Sequence, residues 1–134
     1  MGYRSDVAYT IRFVDDHDTN NEQAFYTFLL EAKANPKLQL ALAEVEIDEK
    51  RHMFTFISTD VKWYDSFPDV DSHMALVELA EEWAEQVSQQ KLHCKIGCAF
   101  LRIGEDVKDI EERFSGDYAP DWMSVSREIC TDWT

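Results

Sequence analysis

Asp15, Asp16, His17 and Asp18 are the one compact run of oxygen and imidazole donors in the chain, the kind of group that a divalent cation takes. Their spacing argues against a metal. Consecutive acids lack the alternating ligands and central glycine of a calcium loop, so the run reads as a solvated loop before a helix. Asp18, Thr19 or Asn20 would be its N-cap. No metal and no cofactor is expected. A second constellation groups His73 with Lys62, Trp63 and the acids Glu105 and Asp106. It could do general acid and base work, but only if those side chains converge in a pocket. His73 falls at the border of an apolar stripe, where a packed structural histidine belongs, and His17, His52 and His93 fall at loop or strand ends. Without a nucleophile motif or phosphate loop, catalysis is the minor reading, and an enzyme is less expected than a binding protein.

The residues with the clearest arrangement are acids and aromatics between Asp60 and Gln90. At 100° per residue, Leu76, Leu79, Ala80, Trp83, Ala84 and Val87 share one side of a helix, and Glu78, Glu81, Glu82 and Glu85 the other. The four glutamates fall within about two turns, roughly 10 Å, and form a compact anionic strip. They are expected to point to solvent, so that reversing their charge leaves the fold intact. Before the helix stands the corner Val61 to Pro68, in which Trp63, Tyr64 and Phe67 cap one end of the core and Asp69 or Asp71 caps the helix. Trp63 and Tyr64 beside the strip would also suit a partner-binding hot spot.

Composition points the same way. The chain carries 27 acids against 13 lysines and arginines, a net charge of −14. Such a field disfavours direct binding to nucleic acid and to anionic membranes, and it favours a basic protein partner. Lys50 and Arg51 follow Glu44, Glu46, Asp48 and Glu49 and read as a hairpin tip. No run is apolar enough to span a membrane. Cys94, Cys98 and Cys130 are odd in number without CxxC spacing, in a chain with no N-terminal apolar h-region, which leads us to expect a reducing cytoplasm. Cys94 and Cys98 are expected as small buried hydrophobes.

One α+β domain over 1–134 should position these groups. Val7, Tyr9, Ile11 and Phe13 alternate with Ala8, Thr10 and Arg12 along a first strand, and Arg4 and Asp6 are close enough for a local turn. A helix follows over about Asn21 to Ala34, with Phe25, Phe28, Leu29 and Ala32 inward, stopped by Asn35-Pro36. Lys37 to Leu42 reads as connector, or as a short helical turn capped by Asn35. Glu44 to Asp48 and His52 to Ser58 form a hairpin whose first strand lies at or near an edge and whose second, apolar on both faces, lies deeper. The main helix spans about Val70 to Gln89. Leu92 to Ile103 is an interior strand, in which Gly97 marks a bulge or the close approach of a helix. Ile110 to Phe114 and Met123 to Cys130 complete the chain as strands. The order β-α-β-β-α-β with a C-terminal β extension predicts a ferredoxin-like sandwich, with another α+β strand order as the alternative.

Three stretches, MGYRSDVA, DVKWYDSFPDV and FLRIGEDVKDIEE, together resemble a family of small uncharacterised proteins of tailed bacteriophages and prophages. The resemblance implies a phage-type protein in the cytoplasm of a bacterial host and brings no catalytic residues with it. The expected function is therefore a protein–protein interaction, with inhibition of a basic nucleic-acid-binding or defence protein of the host as its sharper version. A small-ligand module or an enzyme with an acid/histidine site is the alternative, and association with a second copy stays open.

Overall fold

The computed structural model describes residues 2–14, 21–92, 94–116, 119, 122–125 and 129–131. At its centre is β1 (Ser5–Phe13), flanked antiparallel by β3 (Met53–Val61) and β4 (Ile96–Gly104). The edges are β2 (Glu46–Asp48), paired with β3, and β5 (Ile110–Ser115), paired with β4. The result is a five-stranded antiparallel sheet of order β2-β3-β1-β4-β5. The acidic hairpin strand lies at the edge and its partner deeper, as its charge pattern predicts.

Alternation along β1 sorts two cores. Val7, Tyr9, Ile11 and Phe13 face α1 (Asn21–Ala34) and the long helix α3 (Pro68–Ser88), which pack on that side through Phe25, Phe28, Leu76, Ala80 and Trp83. Ala8 points the other way and joins Ala99, Leu101, Trp122 and Met123 in a second cluster. The inward stripe of α1 is the predicted one: Phe25, Phe28, Leu29 and Ala32 are all buried. Cys94 and Cys98 are free thiols, both buried, and burial pushes the Cys98 thiol up.

Several expectations need correction. Of the two readings of the stretch after Pro36, the helical one holds and the plain connector does not: Asn35 Oδ1 accepts the Lys37 N–H at 3.0 Å, starting a 3-10 turn that continues into α2 (Gln39–Glu44). Neither Asp69 nor Asp71 caps α3. Phe67 stands at the N-cap, where its ring has no acceptor to offer, and Pro68 starts the helix instead by bringing a helical φ and lacking an N–H that would need a partner. Met123 to Cys130 is two short strands, β6 (Met123–Val125) and β7 (Ile129–Thr131), that pair with each other. They satisfy one another's backbone while Trp122 and Met123 cover the small side chains of Ala8 and Ala99. Gly97 marks the approach of an indole and not of a helix: a Cβ there would lie 2.5 Å from Trp122 Cη2. Ile57 is half exposed, so β3 is not apolar-buried on both faces along its length. Asp15, Asp16, His17, Asp18 and His93 lie outside the described residues, as does the cap of α1. Among the described residues no three metal-ligating side chains gather, and no helix is long and apolar enough to cross a membrane.

Candidate functional site

The corner that carries Trp63 and Tyr64 is aimed by an irregularity in the β1–β3 ladder. Ser5 pairs with Val61 but Val7 pairs with Ser58, so β3 holds one extra residue there. Asp60 absorbs the kink at φ 54°, with its N–H donated to Asp6 Oδ1 at 2.8 Å. Arg4 and Asp6 therefore make no private turn. Arg4 spans outward instead, its N–H on Glu105 Oε1 (3.1 Å) and its guanidinium on the Asp60 carbonyl (3.1 Å).

Tyr3 ties this corner to the β4–β5 turn. Its N–H donates to the Tyr64 hydroxyl at 2.7 Å, and its own hydroxyl donates to Asp109 Oδ2 at 2.6 Å and accepts the Asp106 N–H at 3.0 Å. Asp109 is held again from below. Arg102 grips both its oxygens at 3.1 and 2.7 Å and reaches Glu111 Oε1 through Nε at 3.3 Å. Two residues along β5 from Glu111, Arg113 grips both oxygens of Glu81 on α3, with Nε to Oε2 at 3.0 Å. Fork-to-fork pairs of this kind fix planes as well as distances.

The Arg102 guanidinium, followed by the Tyr3 hydroxyl, brings Asp109 down from 3.8 to about 2. A carboxylate whose folded value is depressed stabilises the fold above its unfolded value and loses that contribution as pH falls through the folded one. Stability should therefore decline between pH 3.8 and about 2, and Asp109→Asn should flatten that part of a denaturant-derived stability profile. An unchanged acid limb would remove Asp109 from the knot.

Between corner, α3 and the β4–β5 hairpin lies an open cleft of about 580 Å³. Tyr3, Trp63, Tyr64 and Met74 line it together with Asp65, Asp71, Glu78, Asp109 and Glu111, against only Arg102 and Arg113. Both arginines are already chelated, so the free charge of the cleft is negative. Trp63 is braced from behind by Phe56 and His73, with ring centroids 6.0 and 5.7 Å away, and Tyr64 meets Phe67 edge-on. These walls are held by contacts within the chain itself.

The structure thus brings Trp63, Tyr64 and Glu78 together and divides the rest of the strip. Glu81 is not a solvent-facing acid: it lies at the cleft's margin, paired with Arg113, so reversing its charge would set two cations against each other. With Glu85, which accepts from Gln89 at 2.9 Å, it borders a second hollow of about 470 Å³ near Trp122. Glu82 is exposed and lines neither hollow. The acid/histidine grouping does not assemble as drawn. Glu105 and Asp106 belong to the β4–β5 turn with the N-terminal segment, and Lys62 is exposed. The carboxylate at His73 is Glu44, whose Oε1 stands 3.5 Å from Nε2.

His73 itself has no access to solvent. The Tyr9 hydroxyl lies 2.6 Å from Nδ1, and Phe56 covers the ring at 4.1 Å. Burial lowers the histidine's pKa, with Glu44 pulling against it. The same burial pushes the Tyr9 phenol well up. No protein-family model matches the chain, nor does any curated protein or solved structure.

Proposed function

We propose that the chain is a non-enzymatic interaction protein whose anionic, aromatic-walled cleft docks a basic segment of a protein partner. One observation carries this reading: five carboxylates and three aromatic rings surround a concavity whose only two cations are chelated. Interface hot spots join a rigid aromatic anchor to charge complementarity. Glu82 and Glu85 add to the long-range field without touching the cleft. A nucleic-acid ligand is not favoured, since the outward sheet face that would stack bases is occupied by Trp122 and Met123.

A ferredoxin-like arrangement is part of the same proposal. It is supported by the order β2-β3-β1-β4, antiparallel at every step, with α1 following β1 and α3 following β3; β5 and the β6–β7 hairpin are then additions. The resemblance of its motifs to phage and prophage proteins supports a site of action in the cytoplasm of a bacterial host. The fitting partners there are basic proteins that hold nucleic acid or defend the cell, and docking on them would block their basic surfaces.

The test begins with a partner retained from bacterial lysate in the presence of nuclease and released by salt. Asp65→Lys/Glu78→Lys, both at exposed positions, should lower its association rate at low salt by about tenfold or more. Glu82→Lys should change it far less. Equal association rates for all three proteins would overturn the reading.

A further inference from the structure

Taking that cleft as the docking site, we infer that its occupant is an arginine side chain of the basic partner, laid flat against Trp63 and held by Asp65 and Glu78. Charge alone would admit lysine equally, so the choice rests on shape. The wall is planar and braced: Trp63 is backed by Phe56 and His73, and Tyr64 is held by the Tyr3 N–H. A guanidinium stacks on such a face and still offers its in-plane N–H groups to carboxylates, whereas an ammonium is a compact, strongly hydrated point charge that gains little from a flat wall.

The molecule uses the same chemistry on itself. Arg12 lies over the Trp122 ring at 4.7 Å, and Arg102 and Arg113 are each gripped by both oxygens of a carboxylate. Those two chelated guanidinia also form one side of the cleft. Asp109 and Glu81 are thus committed. Of the exposed carboxylates that line the cleft, Asp71 is bridged to Lys37 at 3.8 Å, which leaves Asp65 and Glu78 to face an incoming cation, one beside Tyr64 in the corner and the other on α3.

Two peptides of equal charge separate this inference from the reading beneath it: six arginines, and six lysines, each interspersed with Gly-Ser and titrated at fixed salt. The readouts are the affinity and the indole N–H resonance of Trp63. The arginine peptide is expected to bind about tenfold tighter, in line with stacking plus bidentate pairing, and to shift the Trp63 resonance. Trp63→Ala should erase the preference while leaving the charge-driven part of binding. Glu78→Gln, at an exposed position, should weaken the arginine peptide more than the lysine peptide. Equal binding of both peptides, with the Trp63 resonance unmoved, would overturn the arginine assignment and leave the basic-partner reading standing. Failure of both peptides to bind would overturn the two together.

Discussion

Trp83→Ala is expected to lower the unfolding free energy by about 3–5 kcal/mol, the range for deleting a large aromatic from a core. Trp83 is 7% exposed, and its ring meets Phe13 and Phe28 edge-on at 6.0 and 5.3 Å. Phe28 in turn leans on Phe54 at 5.4 Å. The indole therefore joins α3 to α1 and to the central strand, and its removal opens a void that three rigid rings cannot fill by turning. Against an ordinary net stability of about 5–15 kcal/mol this is about a fifth of the total or more, a drop of roughly 10–20 °C in melting midpoint for a chain of this size. Trp83→Phe should cost less, about 1–3 kcal/mol: it keeps an aromatic ring between Phe13 and Phe28 but gives up part of the indole's buried volume together with the Nε1–H bond to Glu31 Oε2, 3.2 Å and partly exposed. A small shift for Trp83→Ala would mean that α3 does not rest on α1 through this ring.

Trp83 was legible because a helix reports its inward face locally: Leu76, Ala80, Trp83 and Ala84 repeat at helical spacing whatever lies opposite. Strand alternation in β1, the edge character of β2 and the two faces of β4 are legible for the same reason. The cleft is not. Tyr3 bonds to Tyr64 and Asp109, 61 and 106 positions away, and no short-range pattern encodes such a contact. Two signals did exist. Arg102 is a lone charge in an otherwise apolar strand, which demands a buried or half-buried partner, and Glu111 and Arg113 alternate on one face of β5. Neither names its partner. Glu81 shows the opposite failure: its helical phase put it with the solvent acids, and only the strand beside α3 reveals Arg113. The β6–β7 hairpin was missed because Val125 and Ile129 read equally well as parts of one strand. What decides is the backbone of the other strand, not the side-chain period.

His73 combines both cases, being placed by periodicity at the stripe's border as a packed histidine and found buried, yet with partners that the sequence hides. Tyr9→Phe should cost about 1–3 kcal/mol, because it leaves Nδ1 buried without its hydrogen-bond partner. His73→Leu should cost a similar amount by stranding the Tyr9 hydroxyl. The double variant should recover most of the loss, since two apolar groups of like size need no partner, giving a coupling of about 1–3 kcal/mol in the cycle. The pH dependence follows from the groups around the ring: Tyr9 from β1, Glu44 from α2, and Asp69 on α3 itself. Burial holds the folded-state value below 6.5, so the unfolded chain binds the proton more readily. The contribution is therefore complete above 6.5 and is lost as pH falls from there through the lowered folded value. Glu44→Gln removes the attraction that opposes burial and should deepen the loss. The Tyr9→Phe/His73→Leu protein should show none of it. Urea titrations at a series of pH values decide both points: strictly additive single variants would undo the Tyr9–His73 coupling, and a double variant that keeps the wild-type slope below 6.5 would place the proton elsewhere than on His73.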